Sequence, residues 1–68
     1  MTVEEARAAY KLDHNWTAME MTDGRIIFSF FDVDTVVRPD GTAYLHSWVL
    51  TRDSGHQPVK TELTPEAT

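Results

Sequence analysis

Cysteine is absent from this sequence. That excludes disulfides and thiolate metal sites; it does not by itself locate the protein, but it is compatible with a reducing cytoplasm, where the protein is expected. Glycine and proline are scarce, three of each. The glycines, Gly24, Gly41 and Gly55, fall in stretches that read as turns, which leaves no glycine-rich loop to cradle a phosphate. Basic residues are few, six against eleven acidic ones, for a formal net charge of −5. An acidic balance disfavours nucleic acid and anionic membranes as partners. No apolar run approaches the roughly 18 residues of a membrane span. The start, MTVEEARAAY, has neither the basic start nor the long apolar core of a secretory signal.

The 68 residues are expected to form a single domain, 1–68, with 64–68 as a flexible tail. A chain this short buries only about 60% of its unfolded surface, so a partner that adds burial is attractive. The composition, 41% hydrophobic and 25% charged, is that of a folded protein.

Thr2-Val3-Glu4-Glu5 fits a capping box, and a helix is expected from about Val3 to Leu12. Val3, Ala6 and Tyr10 share one face, and Glu4, Arg7 and Lys11 a solvent-side stripe. Next comes a strand, Trp16 to Thr22. Asp23-Gly24 suits a two-residue type I′ hairpin, which would set Met21 opposite Ile26 and Met19 opposite Phe28. The run Arg25 to Arg38, RIIFSFFDVDTVVR, reads as one long central strand. Pro39-Asp40-Gly41 then reads as a type I turn with Gly41 in the left-handed position. That turn would place Val36 opposite Tyr44, Asp34 opposite His46 and Asp32 opposite Trp48. A third turn, Asp53-Ser54-Gly55-His56, leads to an edge strand from Gln57 to Leu63, where Pro58 is tolerated.

The fold class is α+β: a short N-terminal helix packed on a four-stranded antiparallel β-meander. A small SH3-like or Sm-like curled barrel is the alternative, with a bulge at Asp32-Val33-Asp34 turning the strand. In the meander, the helix covers Ile26, Phe28 and Phe30. Trp16, Ile27, Phe31, Val33, Leu45 and Val49 then gather on the odd-numbered face, an apolar centre with a polar rim like that of a protein interface. These six are the candidate partner-binding residues. Glu20, Asp23, Asp32, Asp34, Asp40 and Asp53 form a candidate acidic surface, presenting phosphate-like charge or conferring solubility.

Asp32, Asp34 and His46 are a candidate metal or acid/base group, two carboxylates sharing a strand face opposite an imidazole. No other metal site and no cofactor is expected. IIFSFFDVDTVV also resembles motif I of haloacid-dehalogenase-like phosphatases, an apolar strand followed by Asp-x-Asp. The resemblance implies Asp32 as nucleophile and Asp34 as acid/base. It covers only this string, Thr35 stands where glycine is usual, and that family needs a doubly wound domain larger than this chain. Nothing has the Ser/His/Asp or Cys/His arrangement of a nucleophilic enzyme.

A non-enzymatic interaction protein is therefore expected. Its partner would be another protein, including a second copy as a homodimer, with no membrane or direct nucleic-acid role. Small size, an initiating Met and acidity resemble the small inhibitors that phages and mobile elements carry against host or defence machinery. That likeness implies an inhibitor or adaptor. The alternative is a small metal-dependent or acid/base enzyme centred on Asp32, Asp34 and His46.

Overall fold

A computed structural model describes residues 1–53 and 55–65. Helix α1 spans Val3–Tyr10. The Thr2 hydroxyl accepts from the Glu5 amide at 3.1 Å, and the Glu5 carboxylate accepts from the Thr2 amide at 2.8 Å, completing the expected capping box. These bonds hold the Glu5 carboxyl below its ordinary range. The helix ends two residues earlier than expected, because Lys11 turns left-handed at φ 55. Leu12 then drops into the core.

Five strands follow: β1 (Thr17–Glu20), β2 (Ile26–Phe30), β3 (Val33–Val37), β4 (Ala43–Thr51) and β5 (Gly55–Leu63). They pair in chain order as one antiparallel meander. The sheet has five strands, where four were expected, because the run from Arg25 to Arg38 is a hairpin. Phe30 pairs with Val33, and Phe31-Asp32 forms the loop between them. The Asp32-Val33-Asp34 break is thus a turn and not a bulge. β1 and β5 are the two edges of the meander, and this pairing lends no support to the curled barrel.

Two turns share one geometry. At Met21–Arg25, the Gly24 amide donates to the Met21 carbonyl and the Met21 amide to the Arg25 carbonyl. At Arg38–Thr42, the Gly41 amide donates to the Arg38 carbonyl and the Arg38 amide to the Thr42 carbonyl. Each aspartate, Asp23 or Asp40, accepts from the amide two residues on, and each glycine sits at positive φ, 95° and 91°. The second turn was expected in this form, and the pairs Val36–Tyr44 and Asp34–His46 follow from it as foreseen. The first was expected to hold two loop residues and holds three. That difference of one residue moves β1 by one position and turns it over. Ala18, not Met19, lies opposite Phe28, and Met19 is exposed.

The final hairpin differs in the same way. Thr51 pairs with Gly55, so Val59, Thr61 and Leu63 lie opposite Ser47, Leu45 and Ala43 and not beside Trp48 and Leu50. β5 is an edge strand, as expected, and begins earlier, at Gly55. Ser54 of the expected turn and 66–68 of the expected tail lie outside the described residues.

The core forms between α1 and one sheet face. Ala6, Leu12, Ile26, Phe28, Val37 and Ala43 are buried, with Val3, Tyr10, Trp16, Ala18 and Leu63 packed against them. Arg7, expected in the solvent stripe, instead lies over the Phe28 ring and donates to the carbonyls of Asp13 and Trp16. The Tyr10 hydroxyl donates to the Gly41 carbonyl, tying the helix end to the β3–β4 turn. Desolvation there raises the Tyr10 pKa, with Asp40 adding to it.

Candidate interaction surface

Strand length creates the second region of interest. β4 and β5 each have nine residues, and β3 has five. β3 pairs with β4 only as far as Asp34–His46. Beyond that pair, β4 and β5 continue as a two-stranded ribbon, Ser47–Thr51 against Gly55–Val59. Side chains alternate across it. Trp48 and Leu50 face one side and Val49 and Val59 the other, and all four are exposed, Leu50 at 72%. α1 does not reach this part of the chain to cover it, since the core it forms ends with Ala43 and Leu63.

The β2–β3 turn lies at the same end. Phe31 takes φ 54 there, the sign that the first loop residue of a type II′ hairpin needs and that glycine supplies without strain. A bulky residue in that position is a genuine outlier. Phe31 is also 88% exposed, so burial does not hold it in place. Its ring meets the Phe30 ring edge-on at 4.6 Å, and Phe30 meets Trp16 at 5.2 Å. A row of aromatic rings thus runs from the core edge to the tip. Beside it, Asp32, Trp48 and His56 line a shallow pocket of about 240 Å³, and His46 packs edge-on against Trp48 at 5.6 Å.

The six candidate interface residues do not share a face. Ile27 is half-buried on the side away from the helix, in a cross-strand row with Met19, buried Val36 and Tyr44. Val33, Leu45 and Val49 fall on the helix side, since the pairing places them with Phe30, Thr35 and the Val59 side of the ribbon. Trp16 packs against the core, and Phe31 is in the turn. The single odd-numbered face therefore does not exist, because the Phe31-Asp32 turn exchanges odd and even between β2 and β3. Trp48, Leu50 and His56 were missed at the exposed end. The available signal was strand length, since the nine residues of 43–51, with Trp48-Val49-Leu50 near their end, outrun the five of β3.

The acidic residues are dispersed. Asp23 pairs with Arg25 at 2.7 Å, and Asp40 accepts from the Thr42 amide and hydroxyl. The Arg25 amide lowers the pKa of Asp23, and the Thr42 hydroxyl followed by its amide lowers that of Asp40. Glu20 ends β1, Asp53 follows β4, and Asp32 is in the turn. Asp34 accepts from the Ser29 hydroxyl at 2.8 Å and lies opposite His46. Among the described residues, no three His, Asp or Glu side chains converge as ion ligands. None of their helices is long and apolar enough to cross a membrane.

A groove of about 510 Å³ lies on the other side of the sheet's base, around Tyr44. Arg38 and Lys60 both lie over the Tyr44 ring, at 4.7 and 4.4 Å. Arg38 is also held by Glu62 at 2.6 Å, and that hydrogen bond raises its pKa. Comparison with protein-family models, with curated proteins and with solved structures finds no match.

Proposed function

We propose that this chain is a non-enzymatic protein-interaction module that engages a partner protein through its exposed end, with Phe31 as the anchor. The observation that carries this reading is Phe31 itself. It is a large apolar side chain, exposed, on a backbone conformation that glycine would occupy at less cost. Such local strain persists at sites of function. Trp48 and Leu50 extend this apolar end along one side of the ribbon, and Val49 and Val59 along the other. Phosphate mimicry finds less support, because Asp23 and Asp40 are spent on their own turns. An inhibitor or adaptor in the cytoplasm is the biological form this reading takes.

The test is affinity capture from the source cells with the wild-type chain, Phe31→Gly and Leu50→Asp, with and without about 0.5 M salt. Salt at that level screens exposed charge pairs within a few ångström. The expected result is a partner retained by the wild type at both salt levels and lost by both variants while they remain folded. Retention by Phe31→Gly, or loss of the partner in salt alone, would overturn the apolar mode of binding.

A further inference from the structure

We infer that the free edge of β5 pairs with the same edge of a second copy, antiparallel about Thr61, so that Lys60 of each chain faces Glu62 of the other. This goes beyond the function proposed above in both surface and partner, since it rests on Lys60, Thr61 and Glu62 and shares with that apolar end only Val59 at its margin. The two readings can therefore fail separately.

Sheet geometry decides which backbone groups are free. The Arg38 amide donates to the Thr42 carbonyl at 2.7 Å, which makes that pair a hydrogen-bonded one. Such pairs alternate along an antiparallel ladder, so Val36–Tyr44 and Asp34–His46 are hydrogen-bonded as well. Ala43, Leu45 and Ser47 then turn their amides to β5, and Leu63, Thr61 and Val59 turn theirs back. The outward groups on β5 belong to His56, Pro58, Lys60 and Glu62. Pro58 has no amide hydrogen, so a ladder on the outer side would lose a donor there. Usable edge therefore lies from Pro58 to Leu63. The opposite edge, β1, has only four residues, too few for a comparable ladder.

A two-fold axis constrains the pairing, because each contact must occur twice. Hydrogen bonding requires the outward, even-numbered residues to meet one another, so the axis passes through a residue. Through Lys60 or Glu62, it would set a charge against its own copy. Through Val59, it would set Lys60 against donorless Pro58. Through Thr61, Lys60 meets Glu62 twice, and opposite charges directly across a sheet attract. On the helix side, the same register lays exposed Val59 opposite Leu63, which already packs on the core. Each Glu62 carboxylate, held by Arg38, would then lie between Arg38 of its own chain and Lys60 of the other. This alternation of charge about one point is what a second copy supplies and what a foreign strand would not require.

Charge exchange tests the inference. Lys60→Glu carries two acids at the edge and Glu62→Lys two bases, so each alone opposes like with like, and an equimolar mixture restores both pairs. Mass would be followed by light scattering over a concentration series, with circular dichroism to verify folding. The expected result is a wild-type dimer, association about tenfold or more weaker in each variant, and recovered dimer mass in the mixture. A wild-type monomer throughout, or a mixture that stays monomeric, would overturn it. Hydrogen exchange on the wild type needs no variant. The Lys60 and Glu62 amides should gain protection as concentration rises, and unchanged exchange would also overturn the pairing.

Discussion

Phe31 takes a backbone conformation that costs of order 1 kcal/mol or more in a residue with a Cβ. At 88% exposure its ring returns little through burial. Phe31→Gly should therefore raise the thermal midpoint by a few degrees, at roughly 4–8 °C per kcal/mol for a domain of this size. Differential scanning calorimetry reads this directly, and a lower midpoint would show that the Phe30 contact outweighs the strain. Other residues matter through charge. Glu5, Asp23 and Asp40 all have folded pKa values below their ordinary ones. A carboxyl depressed in the folded state contributes stability above its unfolded pKa, and loses it as pH falls through the folded value. The stability contributed by these three carboxyls should be level above about pH 5 and decline below about pH 4. Asp40→Asn should be less stable at neutral pH and lose less on acidification, as urea titrations at both pH values would show.

At the scale of elements, turns decide everything else. Gly24 approaches Pro39, and a Cβ there would come within 3.1 Å of Pro39 Cγ at a φ of 95°. Gly24→Ala should cost more than about 1 kcal/mol in chemical denaturation. Its twin turn has proline at the first loop position, Pro39, where the first turn has Thr22. Thr22→Pro should therefore stabilise by about 0.4–1 kcal/mol, by restricting the unfolded chain. The same turns show what sequence could reveal. The capping box at Thr2 and the register after Pro39-Asp40-Gly41 were legible because each needs particular residues at fixed offsets. Asp23-Gly24 was ambiguous, since the pair fits a two-residue loop or the end of a three-residue one. The Phe31-Asp32 turn was hidden, because it has no glycine, asparagine or proline and interrupts a continuous apolar run. Once it was missed, the faces of β3 and β4 were inverted relative to β2, and with them the candidate site, while β5 kept its side because the changed final hairpin turns the face a second time.

The whole molecule measures 40 × 26 × 22 Å, with a packed base and a ribbon reaching past the sheet. The base is closed by α1, and one polar contact ties the last helical turn to the far side of the core, the Tyr10 hydroxyl on the Gly41 carbonyl. Tyr10→Phe should cost about 1 kcal/mol, visible as a midpoint lower by roughly 4–8 °C. A larger loss would mean that the hydroxyl also sets the helix position. Charged Arg38, Glu62 and Lys60 cluster around Tyr44 on the outer surface of this base. In the two proposed readings, the edge serves a like chain and the apolar end an unlike one.

The cost of the Phe31 backbone sets two selections at odds. A library of variants sorted for thermal survival would move residue 31 toward glycine. The same library sorted for retention of a partner would hold it at phenylalanine or another large apolar residue. Codon frequencies diverging at position 31, while Gly24 and Phe28 stay fixed in both pools, would distinguish a residue maintained for what it touches outside the chain from one maintained for the fold.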